Sequence, residues 1–250
     1  MEAAAIAAGA AIERVRAAGI VAREKPDLSP VTEADEAAEA IILAALADAA
    51  PGVPVIAEER CAAHGIPDAA ARFFLVDPLD GTREFVAGHP HYTVNIALVE
   101  RGRAVLGVVL APALQRLWTG DVGADRAWAR DLPDGPPRLV RARPRADPPV
   151  ALASRCIDSP QTREWLERAG AGAVRRIGSS LKLCLLAEGE ADLYPRHAPT
   201  SEWDIAAGQA VLEAAGGHVV TANGAPLRYG KPGCSNPHFV AAGAGDPIAP

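Results

Sequence analysis

The sequence predicts a mixed α/β protein in which helices and sheets are layered on one another. Apolar residues recur at helical spacing in residues 38–46, which indicates an amphipathic helix. The short apolar run at residues 73–76 is typical of a buried strand, and residues 92–119 alternate into three further strands of one antiparallel sheet. A chain of 250 residues is long enough to bury a substantial core around such elements.

Composition narrows the classes of function. Hydrophobic residues make up 49% and charged residues 22%, as in an ordinary globular protein, and the net charge of −6 argues against a polynucleotide partner. The cysteines form no zinc-binding pattern, so we expect reduced thiols and a cytoplasmic protein: Cys61, Cys156, Cys184 and Cys234. The Ala-rich start carries Glu13, Arg14 and Arg16, so it predicts neither a signal peptide nor an integral membrane segment.

Two helices are predicted at the N-terminus. The first ends at Gly19, and a polar loop over residues 25–30 separates it from the second, which ends before Pro51. Asp35 follows Thr32 by three positions, the spacing of a capping box in which the Asp35 carboxylate accepts the Thr32 backbone N–H. The spacing alone therefore gives Asp35 a structural role.

Acidic residues follow two predicted strands. Glu58 and Glu59 come after the strand at residues 53–57, and Asp77 comes after the strand at residues 73–76. Strands that end in this way are expected to be parallel neighbours whose acids meet at one edge of the sheet. Ordinary solvation of a strand terminus is the alternative for the two glutamates.

The segment that follows the second of these strands concentrates chemical groups. Asp80 and Gly81 turn the chain back toward Asp77, and Thr82 adds a hydroxyl. Two close carboxylates repel each other unless a proton or a hard cation such as Mg²⁺ lies between them. The pattern therefore predicts phosphate chemistry, although Asp80-Gly81 is also a strong signal for a simple hairpin turn.

The second half begins after a segment rich in Pro, Gly and Arg at residues 131–149, which predicts domains at residues 1–140 and 141–250. A strand at residues 150–154 and a helix at residues 161–169 follow.

Two features of the second half suit a phosphorylated ligand, and a third is an acid at a helix start. Gly178, Ser179 and Ser180 precede a helix that carries Lys182, so this segment either binds phosphate or simply caps the helix. Arg196 could bind a phosphate oxygen in bidentate fashion, and Asp204 lies at the start of the last helix, where capping is its ordinary role.

The run from Asp77 to Thr82, continued by Glu84-Phe85 and residues 93–98, resembles the signature of the inositol monophosphatase superfamily of Mg²⁺-dependent, Li⁺-sensitive phosphatases. Trp203-Asp204 matches its other signature, and residues 107–112 are most similar to the CysQ-type 3′(2′),5′-bisphosphate nucleotidases. The resemblance implies an αβαβα sandwich of two subdomains with the active site between them. It implies that residues 1–140 hold most of the metal ligands and that residues 141–250 hold the substrate-binding groups and the last metal ligand. It also implies conversion of adenosine 3′,5′-bisphosphate to AMP and phosphate.

The resemblance also implies roles for individual residues. Two or three Mg²⁺ ions would be held by Glu58, Asp77, the Leu79 carbonyl, Asp80 and Asp204. Asp35, Glu58 and Thr82 would act on the attacking water. The substrate contacts would be Asp80, Gly81, Thr82, Gly178, Ser179, Ser180, Lys182, Arg196 and Asp204.

Several alternatives stay open at the level of sequence. Ile157 stands where these nucleotidases carry a histidine in a Ser-Arg-Ser-His run, which weakens the substrate assignment but not the phosphatase chemistry. An inositol phosphate, another sugar phosphate or a dinucleotide phosphate is the alternative substrate, and a non-catalytic nucleotide or metal sensor is the alternative class. The partner is a small phosphorylated molecule, and a homodimer is left open.

Overall fold

A computed structural model describes residues 1–25, 28–155 and 159–245. Its N-terminal elements are α1 (Glu2–Ala18), β1 (Ala22–Glu24), β2 (Pro30–Thr32) and α2 (Glu33–Ala49). Helix α1 ends at Gly19 as predicted, and β1 and β2 form an antiparallel ribbon that the sequence did not indicate. Every residue of β1 is exposed, so the ribbon leaves no apolar pattern in the sequence.

The larger sheet has seven strands and lies in the first half of the chain. Its elements are β3 (Val55–Ala57), α3 (Glu58–His64), β4 (Arg72–Asp80), α4 (Thr82–Val86), β5 (Thr93–Glu100), β6 (Arg103–Ala111), β7 (Arg116–Asp121), β8 (Arg126–Asp131) and β9 (Arg138–Val140). Strands β3 and β4 are parallel, with Ala57 opposite Val76, and the other neighbours are antiparallel. Glu58, directly after β3, and Asp77 therefore lie at the same end of two parallel strands, as predicted, although β4 continues through Asp77 to Asp80.

The smaller sheet has five strands in the order β11-β10-β12-β14-β13. The elements of this half are β10 (Val150–Ser154), α5 (Pro160–Arg168), β11 (Ala173–Ile177), α6 (Leu181–Ala187), β12 (Leu193–Arg196), α7 (Glu202–Ala214), β13 (His218–Thr221) and β14 (Phe239–Ala242). The sequence predicted β10 with these ends and α5 within one residue of them, and the predicted helices that carry Lys182 and begin near Asp204 are α6 and α7.

The elements stack in five layers. One core cluster joins α1 and α2 to one face of the larger sheet, for example through Ile12, Ile42 and Ile96. Helices α6 and α7 cover the opposite face and are covered in turn by the smaller sheet, whose outer face carries α5. A side chain at Gly107 or Gly120 would overlap the backbone of α7, so these glycines permit the close approach. The predicted αβαβα sandwich is confirmed.

The predicted boundary between residues 140 and 141 falls between the two sheets. Helices α6 and α7, however, share one hydrophobic core with both sheets. The division into two domains therefore stays a prediction, as do the cytoplasmic location and the homodimer. No helix in the described ranges is both long and apolar enough to cross a membrane.

Candidate active site

One cleft of about 310 Å³ collects the predicted site residues from both halves of the chain. From the first half it is lined by Glu58, Asp77, Leu79, Asp80, Gly81 and Thr82, and from the second by Gly178, Ser179, Ser180, Lys182, Arg196 and Asp204. Asp35 lies outside this lining and contacts it through Thr82. Cleft residues that are far apart in sequence thus meet between the two sheets.

The turn at the end of β4 is shaped by its own backbone. Asp77 Oδ1 accepts the Leu79 N–H at 3.0 Å, and the sheet register shifts between Asp77 and Asp80. Gly81 has a φ of 90°, a left-handed conformation that glycine adopts without strain, and a side chain there would approach the His91 carbonyl oxygen to 3.2 Å. The interpretation as a simple hairpin is therefore wrong, because α4 begins directly after Gly81.

Negative charge is concentrated in this cleft. Burial raises the pKa of Asp77 well above its ordinary value, and the charges of Glu58, Asp80 and Asp204 raise it further. Burial likewise raises the pKa of Asp204 well above its ordinary value, with further contributions from Asp80 and Glu58. Burial also raises the pKa of Asp80, although the positive charge of Lys182 opposes that shift. Such a group of acids is stabilised by bound protons or by cations.

Asp35 performs the predicted capping role and contacts the site as well. Its Oδ2 accepts the Thr32 backbone N–H at 2.8 Å and the Thr32 hydroxyl at 2.7 Å, which completes the capping box of α2. Its Oδ1 lies 3.1 Å from the Thr82 hydroxyl, which also lies 3.1 Å from the Leu79 carbonyl oxygen. Burial raises the pKa of Asp35, against the effect of the hydrogen bonds from the two threonines. The structural and catalytic interpretations therefore do not exclude each other.

Asp204 also completes a capping box, at the start of α7 with Ser201. Its Oδ2 accepts the Ser201 N–H at 2.9 Å. Oδ1 of the same carboxylate makes no hydrogen bond within the described part of the chain. The cap thus fixes the side chain in the cleft wall while one of its oxygens stays available to a ligand.

Lys25 contacts two acids of the site, although the sequence analysis placed it in a polar loop and gave it no role. Its Nζ lies 2.7 Å from Glu58 Oε1 and 2.7 Å from Glu59 Oε1. Burial raises the pKa of Glu59 to about 7, an effect that its bond to Lys25 opposes. The ammonium therefore supplies positive charge beside Glu58. The sequence could not reveal this contact, because it depends on how the ribbon of β1 and β2, which brackets Lys25, folds against the site.

The donor set fits a hard divalent cation. Carboxylate and carbonyl oxygens are the ligands that Mg²⁺ and Ca²⁺ prefer, and a bound cation would offset the burial and mutual repulsion that raise the pKa values of Asp77 and Asp204. In residues 1–25, 28–155 and 159–245, no three His, Cys, Asp or Glu side chains are arranged so that they could hold one ion together. For one cation to be held by three of these acids, some of their side chains would have to rotate.

The segment before α6 contacts the acidic turn directly. Ser180 donates its backbone N–H to Asp80 Oδ2 at 2.6 Å and its hydroxyl to Asn95 Oδ1 at 2.6 Å. A side chain at Gly178 would lie 2.5 Å from the His91 carbonyl oxygen, so this position requires glycine. The sequence analysis gave Asn95 no role. It could have been found as the polar residue within the apolar run of β5.

Two cations of the cleft are bonded to backbone carbonyls. Lys182 Nζ donates to the carbonyls of Ile177 at 3.2 Å and Ser179 at 2.6 Å. Arg196 donates to the carbonyls of Ala198 at 3.2 Å and Pro199 at 3.0 Å. Lys182 thereby holds the loop before α6, and Arg196 holds the loop before α7. Direct contact of either side chain with substrate stays a prediction. Ile157 lies outside the described residues.

Comparison with known proteins gives concordant results. Residues 1–244 match the inositol monophosphatase family. A 3′(2′),5′-bisphosphate nucleotidase CysQ from Shigella flexneri is 44% identical over 205 residues, covering 82% of this chain and 81% of that protein. A histidinol-phosphatase from Mycobacterium tuberculosis is 35% identical over 212 residues, covering 82% and 79%. The crystal structure of CysQ from Bacteroides thetaiotaomicron superposes with a TM-score of 0.80 at 33% identity, covering 97% of this chain and 95% of that one.

Proposed function

The chain belongs to the inositol monophosphatase family, and from this membership we propose that it is a metal-dependent phosphomonoesterase acting on a 3′(2′),5′-bisphosphate nucleotide. The observation that supports this most is the group of acids in the cleft, whose charges raise the pKa of one another. These acids line the cleft, where a phosphorylated molecule can reach them. A cleft of about 310 Å³ suits a small molecule.

The substrate class follows from the relatives. The CysQ proteins similar to this chain are named for 3′(2′),5′-bisphosphate nucleotides, and one relative of lower identity is named a histidinol-phosphatase. All these names describe removal of phosphate from a small molecule. Adenosine 3′,5′-bisphosphate is therefore the first substrate to test, with AMP and phosphate as products.

We propose two to three Mg²⁺ ions as the cofactor. Glu58, Asp77 and Asp80 would hold them from the first half together with the Leu79 carbonyl, and Asp204 would complete the set from α7. When bound, such ions stabilise the phosphoryl oxygens as Lewis acids and lower the pKa of the attacking water.

Asp35 and Thr82 would orient the attacking water. When the Thr82 hydroxyl donates its hydrogen to Asp35 Oδ1, its oxygen is left as an acceptor for a hydrogen of that water. The capping box fixes Asp35 through Oδ2, so the acceptor atom Oδ1 is held in one place. This part of the site thus needs no movement before the reaction.

The second half would position the substrate. Ser180 fixes Asp80 through its backbone N–H, so the loop at Gly178 and Ser179 moves together with the acidic turn. Lys182 adds positive charge next to that loop and donates a hydrogen bond to the Ser179 carbonyl. The phosphoryl group would therefore lie between the acidic turn and this loop.

A phosphate-release assay with purified protein tests the proposal. In Mg²⁺ we expect kcat/KM for adenosine 3′,5′-bisphosphate to exceed that for inositol 1-phosphate and histidinol phosphate by about 10-fold or more, a difference of about 1.4 kcal/mol. Chelation of the metal should abolish release, and Asp204→Asn should lose activity on every substrate. A higher kcat/KM for either alternative would replace the substrate, and no release from any compound would contradict the enzyme assignment.

A further inference from the structure

We propose that His197 and His238 form a binding site for a late first-row divalent transition metal, of the class of Cu²⁺, Ni²⁺ and Zn²⁺, outside the active-site cleft. The centres of the two rings lie 5.6 Å apart, and the ring planes are 71° apart. Imidazole nitrogens are ligands that these metals favour, whereas Mg²⁺ favours oxygen. Such a site would exist whether or not the proposed function is correct.

The smaller sheet brings the two histidines together from distant parts of the chain. Arg196 at the end of β12 is paired with Phe239 at the start of β14, and continuing this antiparallel register pairs His197 with His238. Side chains directly opposite each other in such a pair have Cβ atoms about 4.5–5.5 Å apart. Thr162 of α5 contacts the His197 ring, so the pair lies on the sheet face that carries α5, and neither histidine lines the cleft.

The separation of the rings suits a shared ion. Metal–nitrogen bonds of about 2.0 to 2.1 Å put the centres of two imidazoles about 5 Å apart around a tetrahedral ion. The observed 5.6 Å is close to this value, so small rotations would bring one nitrogen of each ring to the ion. Within the described part of the chain no third His, Cys, Asp or Glu side chain completes a set with the pair, so water would supply the remaining ligands.

Both imidazoles have a nitrogen to offer. His197 Nδ1 lies 3.3 Å from the Thr162 hydroxyl, and a hydrogen donated from Nδ1 to that oxygen leaves the lone pair of Nε2 for an ion. Burial lowers the pKa of His197, and the charges of His238 and Arg168 lower it further, which favours the neutral ring that metal ligation requires. His238 is exposed, and its ring makes no hydrogen bond or ion pair to any residue that the structure describes.

Electron paramagnetic resonance of bound Cu²⁺ tests the site. In protein saturated with Mg²⁺, one equivalent of Cu²⁺ should give a spectrum split by two imidazole nitrogens, because the acids and the carbonyl of the cleft supply only oxygen ligands. His197→Gln and His238→Gln should each remove this two-nitrogen signal and weaken Cu²⁺ binding by about 10-fold or more. His89→Gln, at an exposed histidine in the loop before β5, should leave the signal and the affinity unchanged.

Thermal unfolding with Ni²⁺ gives a second measurement, because an ion that links β12 to β14 binds only the folded chain. The unfolding temperature of the parent should rise by about 3 °C at ten times the Kd of Ni²⁺, and that of His238→Gln should not. His238 is exposed, so its substitution should leave folding intact. Thr162→Val keeps both ligands and removes the orienting contact, so it should weaken Cu²⁺ binding less than the loss of either histidine.

Three results would overturn the site. They are a parent Cu²⁺ spectrum with fewer than two nitrogens, a two-nitrogen signal that persists in either histidine variant, and equal Ni²⁺ shifts of the unfolding temperature in the parent and in His238→Gln. Each is independent of phosphate release, so none of them bears on the proposed function.

Discussion

Asp77 and Asp192 are equally buried, each with 1% of its surface exposed, and their pKa values are shifted in opposite directions. Burial is the largest effect on both. At Asp192 it is outweighed by hydrogen bonds from Arg143 at 2.8 and 3.0 Å, from Val150 N at 2.7 Å and from Ala146 N at 3.3 Å, so the pKa is lowered. From the described residues the Asp77 carboxylate accepts one hydrogen bond, from Leu79 N, and the charged groups that shift its pKa are acids.

The difference shows that the partners of a buried acid, rather than its burial, distinguish a structural role from a functional one. Asp192 ties the segment after β9 to the starts of β10 and β12, and its ionised form is fully satisfied within the protein. The ionised form of Asp77 destabilises the fold unless a cation is added. Substitutions at the two sites should therefore have opposite effects on activity and stability.

The largest expected effect is on turnover in Asp77→Asn. We expect kcat/KM to fall by about 10³-fold or more, because the amide removes charge from the site where phosphoryl charge must be stabilised. In chelator the same variant should be more stable than the parent by about 1 kcal/mol, since a repelled buried charge is lost and the acceptor for Leu79 N remains.

Phosphate release and thermal unfolding of one preparation measure both effects of Asp77→Asn. Asp134→Asn, at an exposed position in the turn after β8, is the matched control and should alter neither quantity. Retention of parental activity by Asp77→Asn would remove Asp77 from the proposed site.

Asp192→Asn should have the converse effect. We expect the free energy of unfolding at pH 7 to fall by about 2 kcal/mol, because charge-assisted hydrogen bonds are lost, while kcat stays at the parental value. The folded-state pKa of Asp192 lies below its unfolded value, so its stabilisation is present above about pH 4 and is lost as the pH falls through the folded pKa.

Urea unfolding of the parent and of Asp192→Asn at pH 7, 5 and 3.5 measures how the difference in their free energies of unfolding changes with pH. The difference between the two curves should be smaller at pH 3.5 than at pH 7, because the unfolded chain already begins to bind the proton there. A gap of constant size at all three values would show that the effect of the substitution does not come from the ionised carboxylate.

A smaller effect is expected at Thr82, which contacts Asp35 and the Leu79 carbonyl. Thr82→Val keeps the shape of the side chain and removes the hydroxyl, so kcat should fall by about 10- to 100-fold. Thr82→Ser restores the hydroxyl and should recover most of the activity. Steady-state kinetics at saturating substrate distinguish the two variants, and equal kcat values in Thr82→Val and the parent would remove Thr82 from the orientation of water.

Local signals made much of this arrangement predictable. Acids at the ends of two strands indicated that β3 and β4 are parallel neighbours, and the spacing of Thr32 and Asp35 predicted the capping box. The sequence could not show that Asp35 also contacts Thr82, because that contact depends on how α2 packs against the sheet. The role of Lys25 was missed for the same reason, because its contacts with Glu58 and Glu59 depend on the fold of the ribbon formed by β1 and β2.

The structure of the protein crystallised with Mg²⁺ and AMP tests the central claim most directly. We expect ions within about 2.0 to 2.1 Å of oxygens of Asp77, Asp80 and Asp204, with the Glu58 carboxylate turned from Lys25 toward the same ions. Ions bound elsewhere at saturating Mg²⁺, with Glu58 still paired to Lys25 and the aspartates unligated, would contradict the account.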